Sequence, residues 1–537
     1  MAGAASLWAY SRTWRSLTRL VGRPPTAEAC AAIIRQRMAT REERFLQFAD
    51  RFIYGYPHSP YLALLRSAGC EYGDLAVDIR KRGLEPTLET LRDAGVYVTF
   101  EEFKGRADVV RGAQRFRFSE EAFDNPLQPQ SLERRTGSGR RRGPRVHVAL
   151  DFIADRAPTY QVMLDAVGAA GAPIILWLPG PSSGGGLQQW LTLAHLGHPP
   201  LRWLCTTDPN TPAVTPRHRM LMVAARLLAR RRGFDLPEPE FTPPAAPEGV
   251  LEALLAARRR HRNCVVSTTS SGAVRVAGLA RSQNVSLHDV SFIVGGEPLT
   301  PGKAQAIRGA GATVGARYSI REVGHVGRPC GSPMAPDDMH FMADCYGMIL
   351  HRRPAAGLGD VQAFMFTSLR DSAPKVLLNV ESDDFGEFTV RRCGCAFDDL
   401  GLYGHFAWVR SRTKLTGEGA TVLGTDCIRI LEEELPREFG GRSVDYQLLE
   451  AEDVDHLTRL YLVVSPEVGS VDERRLLNRF VHHLRLTRRR DALSGLWTQA
   501  GTIRVIRRNP VATSGKLLPF HTQALKAFSR DHKSTTP

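Results

Sequence analysis

Five short segments bring together residue types that can do chemistry. Thr136, Gly137, Ser138 and Gly139 run into Arg140, Arg141 and Arg142. Glycines there free backbone N–H groups to turn toward an anion, and hydroxyl and guanidinium groups complete a phosphate cradle. Gly295, Gly296, Glu297, Pro298 and Leu299 stand at the end of a predicted strand, where α/β proteins admit ligands. Tyr318, Ser319, Ile320, Arg321 and Glu322 end another and offer a carboxylate to a metal ion. Thr513, Ser514, Gly515 and Lys516 set a lysine on a turn, a point charge suited to phosphate or carboxylate oxygens. Cys330, His340, Cys393 and Cys395 supply three thiolates and one imidazole, the ligand set of a closed zinc site, at a spacing unlike that of a zinc finger. Taken singly, each also has a plainer reading: a basic surface loop, a tight turn, a solvated glutamate, a solvated lysine, buried unligated thiols.

The elements that must position these residues follow from hydrophobic periodicity. Residues 28 to 118 read mainly as helices, with apolar side chains at helical spacing around Phe45, Phe48, Phe52, Tyr61, Leu64 and Leu65. A glycine- and arginine-rich break, Arg134 to Arg145, precedes the apolar run Val146 to Leu150. Strands at Pro173–Trp177 and Arg202–Cys205 then alternate with a helix at Leu187–Leu196, the pattern of an α/β layer structure. Prolines 237, 239, 243, 244 and 247 mark a surface connection. Asn263–Thr268, Val290–Gly296 and Thr313–Ser319 continue the α/β run. Strands at Val376–Val380 and Glu387–Val390 lie within a strand-rich stretch. Beyond Arg410, helices at Asp426–Leu435 and Glu473–Leu486 and strands at Tyr461–Ser465 and Gly501–Ile506 form a small α+β module of about 125 residues.

Composition narrows the classes of function. The 537 residues hold 43% hydrophobic and 24% charged side chains, a globular balance that argues against wholesale disorder. No apolar run approaches the ~18–20 residues of a membrane span. The net charge is +15, and only eight of the basic residues are lysine. Excess positive charge attracts nucleotides, nucleic acid and acidic carrier domains alike. Dispersed arginines without a helix-turn-helix, RNA-recognition or finger pattern disfavour nucleic acid. Nine cysteines are too sparse for a disulfide scaffold and suit a reducing, cytoplasmic compartment. Arg12, Arg15, Arg19 and Arg23 are read as an arginine-rich leading helix rather than a presequence.

The four anion-handling segments, in this order, make the chain resemble the adenylate-forming superfamily of acyl-CoA synthetases and adenylation domains, with its closest look to the phenylacetate–CoA ligase branch, over residues 40 to 530. The resemblance implies an α/β fold: a large N-terminal adenylation domain of layered subdomains over residues 1–410, with a helical leader to about 118, and a small mobile α+β domain over 411–537 carrying the lysine. It places Thr136, Gly137 and Ser138 on the phosphates, and Gly295, Gly296, Glu297 and Pro298 on the adenine. Tyr318, Ser319 and Arg321 fall in the nucleotide segment, with Glu322 holding Mg²⁺. Asp384, or its neighbour Asp383, falls on the ribose, Arg410 before the hinge, and Lys516 at the adenylation lysine. Cys330, His340, Cys393 and Cys395 match a zinc set of that branch, with Cys345 as a substitute ligand. Ser319 stands where the family has Gly, Arg321 where it has Thr, and Arg412 where its hinge has Asp or Lys.

What the resemblance implies is an AMP-forming acid–thiol ligase. A carboxylic acid, aryl or arylacetic by branch, would be joined to AMP from ATP and then passed to coenzyme A, the loop Leu415–Gly419 lining the thiol channel. The alternatives are transfer to the phosphopantetheine of an acyl carrier protein, and a catalytically degenerate, zinc-stabilised interaction protein. A homodimer is compatible with either.

Overall fold

The computed structural model describes residues 13–128, 132–135, 145–183, 185–355, 359–488, 492–513, 516–517 and 519–522. Its centre is a six-stranded, all-parallel sheet in the order Thr313–Ala316, Val290–Val294, Cys264–Thr268, Ile174–Leu178, Arg202–Cys205, Pro239–Phe241. Ile174–Leu178 and Cys264–Thr268 are buried throughout, as expected of strands covered by helices on both faces. The chain builds outward in one direction from Ile174, then returns to Cys264 and builds outward in the other. The sheet therefore has a topological switch point between those two strands, and their carboxyl ends open a crevice.

A second sheet of seven antiparallel strands runs Tyr318–Ile320, Gly324–Pro329, Met339–Phe341, Gly404–Ser411, Val380–Val390, Gly359–Ser368, Tyr346–Ala355. Helices Ala27–Ala39, Arg41–Ala49, Pro60–Ser67, Tyr72–Arg82 and Leu84–Asp93 make up the leader, which shares one continuous apolar core with both sheets. Val98 fastens the leader to the second sheet: its N–H donates to Asn379 O at 3.0 Å, and its carbonyl accepts from Glu381 N at 2.8 Å.

The C-terminal residues pack a separate core on a four-stranded sheet, Ile503–Arg507, Thr458–Val464, Tyr446–Glu452, Phe520–Thr522, covered by helix Glu473–Arg488. The hairpin Lys414–Gly417/Ala420–Leu423 joins the two cores.

Three expectations need correction. Thr313–Ser319 is two strands, because Arg317 interrupts it and passes the chain from one sheet to the other. Val376–Leu378 are not strand; the strand begins at Val380, and the apolar side chains before it are buried without a ladder. The proline-rich connection contains a strand, Pro239–Phe241, at the edge of the parallel sheet, where a residue without N–H is tolerated. The leader is mainly helical, as its periodicity predicts, and ends in a short hairpin, Val109–Arg111 with Gln114–Phe116.

Candidate functional site

Gly295 follows the strand Val290–Val294 into the crevice, and a Cβ there would lie 2.7 Å from Arg317 Cγ. Gly296 takes φ +84°, a left-handed value that favours glycine, and a Cβ on it would approach Gly419 Cα at 3.1 Å. The Glu297 carboxylate does not face the open crevice. It accepts from Ser271 N at 2.6 Å and Ser271 Oγ at 2.9 Å at the start of helix Ser270–Ser282, and pairs with Lys303 at 3.2 Å; both members of that ion pair are buried. A carboxylate at a helix N-terminus is stabilised by the unpaired N–H groups there. Arg317 donates to Gln189 Oε1, and Gln189 Nε2 donates to Ser267 Oγ and Tyr160 Oη, each at 2.8 Å.

The Tyr318 hydroxyl donates to Asp384 Oδ2 at 2.8 Å, and burial with that neighbour pushes the phenol pKa well up, keeping the proton on the donor. Ser411 Oγ donates to the other Asp384 oxygen. Asp383 is spent differently: it accepts from Thr413 N at 3.1 Å and Thr413 Oγ1 at 2.9 Å, anchoring the linker. Lys414 Nζ lies 3.6 Å from Asp384 and 4.0 Å from Asp383. Burial lowers the Lys414 pKa, but Asp384, Asp383 and Glu322 outweigh it and raise the ammonium.

Glu322 is held by a residue that the sequence did not single out. Lys104 Nζ donates to Glu322 Oε1 and to Glu120 Oε1, the second at 3.1 Å. Lys104 follows the turn Phe100–Phe103, which is set by a capping box between Thr99 and Glu102. Its ammonium lies 5.8 Å from the Phe100 ring centroid, and that of Lys414 lies 5.2 Å from the same ring. Burial would raise the Glu322 pKa, but Lys104, Arg321 and Lys414 hold the carboxyl well below the usual carboxylate range. The scarcity of lysine is the only sequence signal that points to Lys104 and Lys414.

Magnesium at Glu322 does not fit this arrangement. The ion needs near-octahedral oxygen at about 2.0–2.1 Å. The site offers Glu322 and Glu120, both already paired with the Lys104 ammonium, and Arg321 and Lys414 add two further cations beside Glu322.

Arg410 donates to Asp337 Oδ2 at 3.3 Å, both buried, so its guanidinium faces away from Asp384. Ser319 Oγ and His325 Nδ1 share a hydrogen bond, and Arg321 is exposed. Arg412 reaches Glu381 Oε1 at 2.8 Å. Thr136, Gly137 and Ser138 lie outside the described residues, although the strands flanking them, Leu132–Arg135 and Arg145–Val148, pair as a hairpin. Thr513 and Lys516 face each other in the hairpin Ala512–Thr513/Lys516–Leu517; Ser514, Gly515 and the Lys516 side chain lie outside the described residues.

The turn Glu418–Gly419 docks the C-terminal residues onto the crevice. Arg275 Nη2 pairs with Glu418 Oε1 at 2.6 Å, Lys303 Nζ donates to Thr458 Oγ1 at 2.7 Å, and Thr300 Oγ1 donates to Glu452 Oε2 at 2.5 Å. This places the Leu415–Gly419 segment against Gly296 and Thr269, at the carboxyl ends of the parallel strands.

A second centre lies along the antiparallel sheet. One ligand atom from each of Cys330, His340, Cys393 and Cys395 lies within 4.8 Å of all the others. His340 Nε2 is 3.1 Å from Cys395 Sγ and 3.3 Å from Cys393 Sγ. His340 Nδ1 lies 2.7 Å from the Leu402 carbonyl, which can only accept, so Nδ1 carries the proton and Nε2 presents a lone pair to the thiols. Hydrogen bonding from Cys330, the largest effect, holds the Cys395 thiol well below the usual thiol range. A tetrahedral zinc needs sulfur atoms ~3.8 Å apart, and the donor set fits it. Cys345 is elsewhere, against Asp344 at 3.2 Å.

No family model and no curated protein matches the sequence. Among solved structures, the chain is similar to a 2-hydroxyisobutyryl-CoA ligase in complex with 2-HIB-AMP and CoA in the thioesterification state: TM-score 0.58, 15% identity, covering 95% of this chain and 93% of that one. The same ligase in the postadenylation state, with R3-HIB-AMP, matches at TM-score 0.45 and 14% identity over 95% and 93% of the two chains. The amide bond synthetase McbA from Marinactinospora thermotolerans matches at TM-score 0.32 and 13% identity over 96% and 99%. The first of these likenesses shows the fold: this chain has the α/β two-domain fold of an AMP-forming acyl-CoA ligase.

Proposed function

We propose that this protein is an AMP-forming acid–thiol ligase, activating a carboxylic acid as its acyl-adenylate and transferring the acyl group to coenzyme A. The observation that carries the reading is the convergence of the Gly295–Gly296 turn, the Tyr318–Asp384 hydrogen bond and the Glu418–Gly419 turn with the crevice at the switch point. The first half-reaction joins a carboxylate oxygen to the α-phosphorus of ATP and expels pyrophosphate, so positive charge and alignment are the chief demands. Lys104 and Lys414 supply held cations beside Glu322, and the exposed Arg321 adds a third positive charge. Lys516 bridges the carboxylate and the α-phosphate, with Thr136 and Ser138 on the departing pyrophosphate. Gly295 and Gly296 leave room for the adenine, and Asp384 takes the ribose. In the second half-reaction a thiolate attacks the acyl carbon and AMP departs; the hairpin at Leu415–Gly419 lines the approach.

Branch resemblance favours an aryl or arylacetic acid and a domain boundary near Arg410, and the sparse cysteines favour a cytoplasmic setting. Zinc at Cys330, His340, Cys393 and Cys395 ties the loop after strand Gly324–Pro329 to the loop between the Asp384 strand and the linker strand, a structural role. Carrier-protein phosphopantetheine is the alternative acceptor. The catalytically silent alternative draws on the Lys104–Glu322 pair, which occupies the expected metal ligand.

ATP–pyrophosphate exchange against a panel of aryl, arylacetic, fatty and amino acids tests the reading. Exchange with one acid class, followed by thioester formation with coenzyme A, supports it. A folded protein that neither exchanges nor binds ATP selects the silent alternative.

A further inference from the structure

Helix Pro216–Arg230 carries its apolar residues on the wrong side for a surface helix. Its inner face, Leu221, Ala225 and Ala229, packs into the core. The crest opposite is apolar too: Met220, Val223 and Leu227, each just over half exposed at 54%, 54% and 53%. At 100° per residue these three fall within about 60° of one another, directly away from the buried stripe. Arginines line both shoulders: Arg219, Arg226 and Arg230 on one, Arg217 and Arg231 on the other, with Arg232 just beyond the end. No acidic residue occurs between Asp208 and Asp235. Arg230 and Arg226 pair with Asp235 and Glu238, both well exposed. Arg217, Arg219, Arg231 and Arg232 have no acidic partner among the described residues.

We propose that this helix is a docking surface for an anionic lipid bilayer, its apolar crest entering the headgroup boundary and its arginine shoulders meeting lipid phosphates. Charge complementarity and shape select this occupant. A convex apolar ridge with cations on both sides fits a plane of acyl chains edged by negative headgroups. A protein partner would instead need a groove with acidic rims. Long arginine side chains reach outward past the crest and keep their charge at the interface. A bilayer concentrates apolar acids, so docking would bring such substrates to the enzyme. The helix follows the strand Arg202–Cys205, from which two strands of the sheet separate Val290–Val294, the strand that leads to Gly295.

Vesicle co-sedimentation of the full chain tests the proposal independently of any ligase activity. The probes are phosphatidylcholine vesicles with and without about one-third phosphatidylserine. The wild type is expected to partition onto the anionic vesicles at least tenfold more strongly than onto neutral ones, with binding lost as salt rises. The combined change Met220→Ser, Val223→Ser and Leu227→Ser is expected to weaken binding at least tenfold with an unchanged melting temperature. Arg217→Gln with Arg219→Gln, Arg231→Gln and Arg232→Gln is expected to abolish the preference for anionic lipid. Absence of wild-type binding to anionic vesicles, or equal binding by the serine variant, would overturn the assignment. Capture of an acidic protein on the same face without vesicle binding would overturn it too.

Discussion

Lys104 and Glu322 lie 218 positions apart in the chain and form a largely buried ion pair, 10% and 14% exposed, with Glu120 sharing the ammonium. The pair joins the helical leader to the strand end where a nucleotide's phosphates are proposed to sit. A carboxylate in this setting is charged because the cations around it more than offset burial.

Lys104→Met is therefore expected to leave Glu322 and Glu120 without their shared partner, with only Arg321 and Lys414 still beside Glu322. Breaking a buried pair from one side costs about 3–5 kcal/mol, and partial exposure brings this toward about 2–3. Urea unfolding would show the loss, and ATP–pyrophosphate exchange is expected to fall at least a hundredfold. Lys104→Arg should recover part of both. A variant as stable and as active as the wild type would show that the pair matters to neither.

Zinc predicts a stoichiometry. Elemental analysis of protein purified without added metal is expected to find one zinc per chain, lost in Cys393→Ser and in Cys395→Ser. Chelation is expected to lower the melting temperature by at least about 5 °C, because a site that forms only on folding contributes its binding free energy to stability. Metal-free protein with an unchanged melting temperature would refute the assignment.

The Lys516 proposal separates the two half-reactions. Lys516→Ala is expected to reduce adenylation at least a thousandfold while sparing thioester formation from a preformed acyl-adenylate. Equal loss of both steps would remove Lys516 from its assigned role.

Glu450 gives a pH dependence with a definite sign. Its carboxylate accepts from Thr416 N at 2.6 Å beneath the docked hairpin, and burial pushes its pKa up to about 7. The folded chain holds this proton more tightly than the unfolded one, whose value is near 4.5. The contribution is thus fully present below about pH 4.5 and is lost as pH rises through about 7. Glu450→Gln is expected to flatten that part of the stability profile, read by urea unfolding at pH 5 and pH 8. An unchanged slope would show that another group sets it.

Much of the fold was legible in the chain because its signals are local. Arg202–Cys205 is a strand with the bounds its apolar run predicts, and Glu473–Arg488 is a helix where periodicity puts one. The buried parallel strands betray themselves as short unbroken apolar runs, since both of their faces are covered. Local pattern misled at Val376–Leu378, where burial without a ladder looks the same in sequence as a strand.

The sequence by itself determined which residue types were available and in what order: two glycines after a strand, Tyr318 four positions before Glu322, and three cysteines with one histidine. Only the tertiary structure decided what each side chain faces. It turned Glu297 inward onto Ser271 and Lys303, and Arg410 onto Asp337. It gathered Cys330, His340, Cys393 and Cys395 from three separate segments, and it carried Lys104 from the leader to Glu322. Charge pairing acts over a few ångströms of space, whereas sequence records only separation along the chain. Which cation meets which carboxylate is therefore fixed when the leader, the two sheets and the linker pack together.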